Sequence, residues 1–99
     1  MKEYIIDQFV DNIVAHSGLS KEDIFENSRK SEYADARKFL YKLCVDRGVS
    51  VKKVQLYMIK KGFNCYTSTI HQGLSSLDKM MENDSDLGII LNKLSHVEV

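Results

Sequence analysis

The chain has 99 residues, is 43% hydrophobic, lacks Pro and Trp, and balances 14 basic against 14 acidic side chains. That length holds one domain over residues 1–99, whose single core can stand without metal or disulfide if its apolar residues are well placed. The five glycines, at 18, 48, 62, 73 and 88, never cluster into a phosphate-cradling loop, which excludes the nucleotide-dependent ATPase and dehydrogenase classes.

The longest apolar run, from Leu87 to Leu91 counting Gly88, falls far short of the roughly 20 residues that span a bilayer. Lys2, Glu3, Asp7 and Asp11 interrupt any leader core at the start of the chain, so a cytoplasmic location is expected. Cys44 and Cys65 have no metal-ligand spacing, and His16, His71 and His96 are scattered. Reduced thiols, no metal and no cofactor are therefore expected.

In chain order the periodicity is helical. Ile6, Phe9, Val10, Ile13 and Val14 follow the i, i+3, i+4, i+7, i+8 spacing of one apolar face, and Gly18 supplies the stop. Ser20 with Asp23 reads as a capping box opening a short second helix that turns Ile24 and Phe25 inward. Ser31 is the expected cap of a longer third helix with Ala36, Phe39, Leu40, Leu43 and Cys44 on one stripe, ended by Gly48. Ser50 caps a fourth, with Val51, Val54 and Met58 inward and Lys52, Lys53 and Lys60 outward, until Gly62.

A fifth helix begins four residues later. Its expected inward stripe is Ile70, Leu74, Leu77 and Met81, which leaves Ser68, His71, Gln72 and Ser75 on other faces. The turn formers from Glu82 to Ser85 break the pattern, and Leu87, Ile90, Leu91 and Leu94 make a last amphipathic helix. No segment alternates long enough to be a strand, so the predicted fold is an all-α bundle of six helices.

Zero net charge conceals a strong asymmetry. Residues 1–28 carry net −4, residues 29–61 carry ten basic against three acidic side chains for +7, and residues 62–99 carry −3. Behind the basic block, helices four and five and the turn at Gly62–Asn64 have the dimensions of a helix-turn-helix, whose second helix enters the DNA major groove by its N-terminal residues. Thr67, Ser68, His71 and Gln72 stand there, short or medium hydrogen-bonding side chains suited to base edges and thymine methyls.

The sequence resembles the C-terminal DNA-binding domain of the bacterial chromosomal replication initiator DnaA. Ile13-Val14-Ala15-His16-Ser17-Gly18-Leu19-Ser20-Lys21-Glu22-Asp23-Ile24 is similar to the opening of that domain, and Ser28-Arg29-Lys30 falls at its basic loop. Ala36-Arg37 followed by Phe39, Leu40, Tyr41 and Leu43 looks like its third helix, and Ser50-Val51 with Val54 like its scaffold helix. The signature Asp-His-Thr-Thr-Val-x-His-Ala lands on Cys65-Tyr66-Thr67-Ser68-Thr69-Ile70-His71-Gln72. The resemblance covers roughly residues 5–95 in unbroken order.

Thr67, Ser68 and His71 keep the family's chemistry. Cys65-Tyr66 replaces its Asp-His pair, Asn64 a basic residue, and Gln55 a scaffold-helix glycine. No ATPase module precedes the domain in this chain, so a full initiator is not expected.

The resemblance and the charge pattern together imply a stand-alone double-stranded DNA-binding module in replication or transcription control, with Arg29, Lys30, Arg37, Lys52, Lys53, Asn64, Tyr66, Thr67, Ser68, His71 and Gln72 as contacts. Arg37 stays open between a phosphate contact and pairing with its neighbours near Glu32 and Tyr33. His71 alone would read as a partly buried helix residue. Cys65 and His71, six residues apart with no third orienting group, do not make a catalytic pair, and no enzyme activity is expected. A second hypothesis keeps the fold as a protein-interaction module for partners such as replication proteins, with Tyr41, Leu56 and Tyr57 as its anchors if exposed.

Overall fold

The computed structural model describes residues 3–28 and 30–97; Arg29, half of the expected basic loop, lies outside them. The described residues form six α-helices and no strand, as the periodicity predicts. Helix α1, Glu3–Ser17, buries Ile5, Ile6, Phe9, Val10 and Ile13 and stops at Gly18, whose φ of +78° a side chain would resist. Helix α2, Lys21–Phe25, opens on the expected reciprocal cap. Asp23 N–H donates to Ser20 Oγ at 3.1 Å and Ser20 N–H to Asp23 Oδ2 at 3.0 Å. The backbone bond from Ser20 is the main reason the Asp23 carboxyl lies below its usual range.

Helix α3, Ser31–Asp46, is the central element and packs on all five others. Its cap departs from expectation. Lys30 is the N-cap and Ser31 the first helical residue, with no side-chain cap; Ser28 Oγ instead accepts from Lys30 N–H at 3.2 Å, which fixes the loop one step earlier. Helix α4, Val51–Lys60, is capped as predicted, Ser50 Oγ accepting from Lys53 N–H at 3.2 Å. Helices α5, Thr67–Asn83, and α6, Asp86–Leu94, complete the bundle. Helix α5 runs two residues into the turn formers before Asp84 turns extended.

Phe9, Ile13, Ile24, Leu40, Cys44, Val54, Met58, Ile70 and Leu77 are fully buried, so every helix from α1 to α5 reaches one shared core. Truncating any of the large ones to Ala costs about 2–5 kcal/mol, since the cavity cannot fully collapse. Burial pushes the Cys44 thiol up to about 12, which makes it a small hydrophobe rather than a nucleophile. Asn12 Nδ2 donates to Leu94 O at 2.9 Å and His96 O at 2.7 Å, tying the end of α6 back onto α1.

The stripe of α5 is phased differently from its apolar spacing. Ile70 and Leu77 are buried as expected, but Leu74 and Met81 are only half-buried, and the third buried position is Gly73. The helix turns Gly73 toward α3, where the Tyr41 ring fills the space that a side chain at this position would need.

Candidate nucleic-acid interface

Six residues, 61–66, join α4 to α5. Gly62 adopts φ +100°, Phe63 N–H donates to Met58 O at 2.9 Å, and the Phe63 ring and Cys65 are buried, so the turn is pinned to the core at two points. A third anchor comes from α4. Gln55 Nε2 donates to Cys65 O at 3.1 Å, while Lys52 Nζ donates to Gln55 Oε1 at 3.1 Å. Tyr66 is the N-cap of α5 and is 76% exposed; it makes no side-chain cap, and Thr69 Oγ1 accepts from its N–H at 3.3 Å.

From this start α5 presents Ser68, His71 and Gln72 to solvent, with Thr67 half-buried and Asn64 and Tyr66 exposed just before it. The opposite face is held by Ile70, Gly73 and Leu77 against α3 and α4. No carboxylate occurs anywhere from Arg47 to Leu77. An anionic backbone would thus meet neutral donors and acceptors over the first turns of α5, with Lys52 and Lys53 exposed on α4.

The +7 block is less concentrated in space than in sequence. Lys60 lies 2.9 Å from Glu3 and Lys61 3.8 Å from Asp7, so the acidic first segment neutralises the end of α4. Lys38 lies 3.4 Å from Asp35, and Lys42 lies 3.4 Å from Asp46 and 3.9 Å from Asp78. Lys30 is exposed, with its ammonium 5.4 Å from the centroid of the Tyr33 ring.

Arg37 takes neither of the roles expected of it. It is 7% exposed; Nη1 donates to Ile24 O at 3.0 Å and Glu26 O at 3.1 Å, and Nη2 to Ser28 O at 2.9 Å. Its guanidinium stands 4.4 Å from the centroid of the Phe63 ring. Burial lowers its pKa, while the carbonyl dipoles and the ring face take the place of a counter-ion. Arg37 thereby joins the segment before the basic loop to the turn before α5, and it leaves the set of phosphate contacts. No sequence pattern marks this, because its partners are backbone carbonyls.

The anchors of the protein-interaction hypothesis also change. Tyr41 and Tyr57 are buried, the Tyr57 hydroxyl donating to Asp7 Oδ1 at 2.7 Å. Leu56 is 53% exposed, joined on the surface by Ile59 at 41% and Tyr66. Ile59 was legible in the sequence, since it falls off the Val51, Val54, Met58 stripe.

No protein-family model, curated protein or solved structure matches this chain. Among the described residues no helix is long and apolar enough to cross a membrane, and no cluster of His, Cys, Asp or Glu could hold a metal.

Proposed function

We propose that the chain is a sequence-specific double-stranded DNA-binding module acting in the cytoplasm, in replication or transcription control, akin to the C-terminal domain of DnaA. The observation that carries this reading is the start of α5. Ser68, His71 and Gln72 are exposed together on a helix whose other side is committed to the core, within a stretch of chain that has no carboxylate. In this reading the first turns of α5 enter the major groove, Gln72 addresses adenine, and Thr67 addresses a thymine methyl. Lys52 and Lys53 on α4 and the Arg29-Lys30 loop seat the phosphates.

Selection of bound sequences from a random duplex library, followed by a salt titration on the winner, tests the proposal. The expected result is a defined site whose log affinity falls with log salt at a slope of about −3, from several neutralised phosphates. No enriched site and no salt-sensitive affinity would reject it and leave the fold to protein interaction alone.

A further inference from the structure

Glu3, Asp7 and Asp11 recur every fourth residue of α1, so their carboxylates stand in one ridge along the helix. Each meets a cation from another helix or its cap. Glu3 Oε2 lies 2.9 Å from Lys60 Nζ, Asp7 Oδ1 3.8 Å from Lys61 Nζ, and Asp11 Oδ1 2.9 Å from Lys21 Nζ. Asp7 is held further by the Tyr57 hydroxyl, which donates to it at 2.7 Å.

The cations of this ridge do not share a flank with the start of α5. On α4, Tyr57, Lys60 and Lys61 are spaced i, i+3, i+4 and turn toward α1. Lys52, Gln55 and Ile59 are spaced i, i+3, i+7 on the other flank, where Gln55 holds the Cys65 carbonyl ahead of α5. Lys21 and Lys61 line one groove of about 480 Å³ together with Asp7, Phe25 and Tyr57, and none of Thr67, Ser68, His71 and Gln72 lines it. Without the three carboxylates, Lys21, Lys60 and Lys61 would make a patch of +3 on which a duplex could seat its phosphates while α5 stayed outside the groove.

The pairs are exposed, and each contributes only about 0–1 kcal/mol to stability. Their effect on a polyanion does not depend on that strength. Beyond a Debye length of about 8 Å an ion pair presents a dipole and no net charge, and a lysine that left its carboxylate for a phosphate would uncover a like charge beside the DNA.

Building on the DNA-binding reading, we infer that Glu3, Asp7 and Asp11 are specificity-determining residues, which cancel a second, non-reading anion face on the α1–α2 side and leave a duplex held where α5 enters its groove. Phosphate contacts carry no sequence information, so a face made of them alone raises affinity for random DNA and lowers the preference for the selected site.

The test replaces the ridge by amides, Glu3→Gln with Asp7→Asn and Asp11→Asn, which keep the size and, at Asp7, an acceptor for Tyr57. A control of equal charge changes Glu82, Asp84 and Asp86, which take part in none of these pairs, in the same way. The ridge variant should bind a random duplex roughly tenfold or more tighter than the parent, with a salt slope steeper by about 2, while the selected site gains less. The control should shift both duplexes equally and by less. Adding Lys60→Gln and Lys61→Gln to the ridge variant should return the random duplex toward the parent's affinity. If the triple variant fails to melt cooperatively, Glu3→Gln with Asp11→Asn serves against a two-site control, since Tyr57 then keeps its carboxylate.

A ridge variant no tighter than its control on random DNA would overturn the inference. Equal gains on selected and random DNA would overturn it too, by placing Lys21, Lys60 and Lys61 inside the reading footprint. Elution from heparin, a sulfated polyanion with no bases to read, separates this from the proposed function. A parent without duplex selectivity, together with a ridge variant eluting at higher salt than its control, rejects base reading and leaves the cancelled anion face standing; coincident elution of variant and control rejects that face.

Discussion

Gly73 of α5 lies directly against the ring of Tyr41 of α3: a Cβ built on it would stand 2.9 Å from Tyr41 Cδ2 and 3.0 Å from Cε2. Tyr41 is itself buried, so its ring has little room to withdraw. Gly73→Ala would gain about 1 kcal/mol of helix propensity in isolation, yet overpacking at this crossing costs about 1–3 kcal/mol. The net result expected is destabilisation, with the first turns of α5 displaced from α3. Urea unfolding of the two proteins decides it; a Gly73→Ala variant more stable than the parent would mean that the helices separate freely.

Arg37 tests whether a cation in the basic block is structural. Arg37→Met keeps the stem but leaves three carbonyls without donors, and bonds from a charged donor are worth about 1.5–3 kcal/mol each, with partial recovery through water. A loss of about 2–4 kcal/mol is expected. Arg37→Lys should recover little of it, because a point-like ammonium cannot span Ile24, Glu26 and Ser28 at once. Under conditions where Arg37→Met remains folded, the salt slope of DNA binding should be unchanged; a slope lower by about 1 would return Arg37 to the phosphate contacts.

Alkali should loosen the core in a defined window. Burial holds the Cys44 thiol protonated up to about 12, against 9.0 for a free thiol, and it raises the Tyr41 and Tyr57 phenols above their usual 10.0. The unfolded chain releases these protons first, so it binds fewer protons than the native state between about pH 9 and 12, and stability falls as pH rises there. The slope should reach at most about 1.4 kcal/mol per pH unit per group. Denaturant midpoints at pH 7, 9 and 10.5 check this, and Cys44→Ala should remove part of the earliest decline, the rest belonging to Cys65, whose thiol burial also raises. A flat profile would contradict the burial of these groups.

Base reading should separate from backbone contact. His71→Ala or Gln72→Ala should lose about 1–3 kcal/mol on the selected site, relax preference at one or two positions, and barely affect random DNA. Lys52→Ala should weaken all duplexes alike and lower the salt slope by about 1. Equal losses on selected and random DNA would make His71 and Gln72 backbone contacts.

The local features were legible in sequence because their causes are local. The Ser20–Asp23 and Ser50 caps, the left-handed stops at Gly18, Gly48 and Gly62, and most of the buried stripes of α1, α3 and α4 follow from spacing within a few residues, although Val14, Phe39 and Val51 are only half-buried and Tyr41 and Tyr57 are buried beside them. The exposure of Ser68, His71 and Gln72 was legible for the same reason. Charge by segment was equally plain, since it is a sum over neighbours in the chain.

Contacts between distant segments decided the rest. A glycine has no apolar side chain to register in a periodicity, so only the crossing of α3 and α5 shows that Gly73, rather than Leu74, is the buried position. Arg37 is indistinguishable in sequence from a surface cation until α2, the following loop and Phe63 close around its guanidinium. Lys60 and Lys61 count toward the +7 block until folding carries them to Glu3 and Asp7, more than 50 positions away in the chain. Hydrophobic spacing reports which face of a helix turns inward, whereas the partners of a buried charge and the spatial density of a charged block depend on which segments meet.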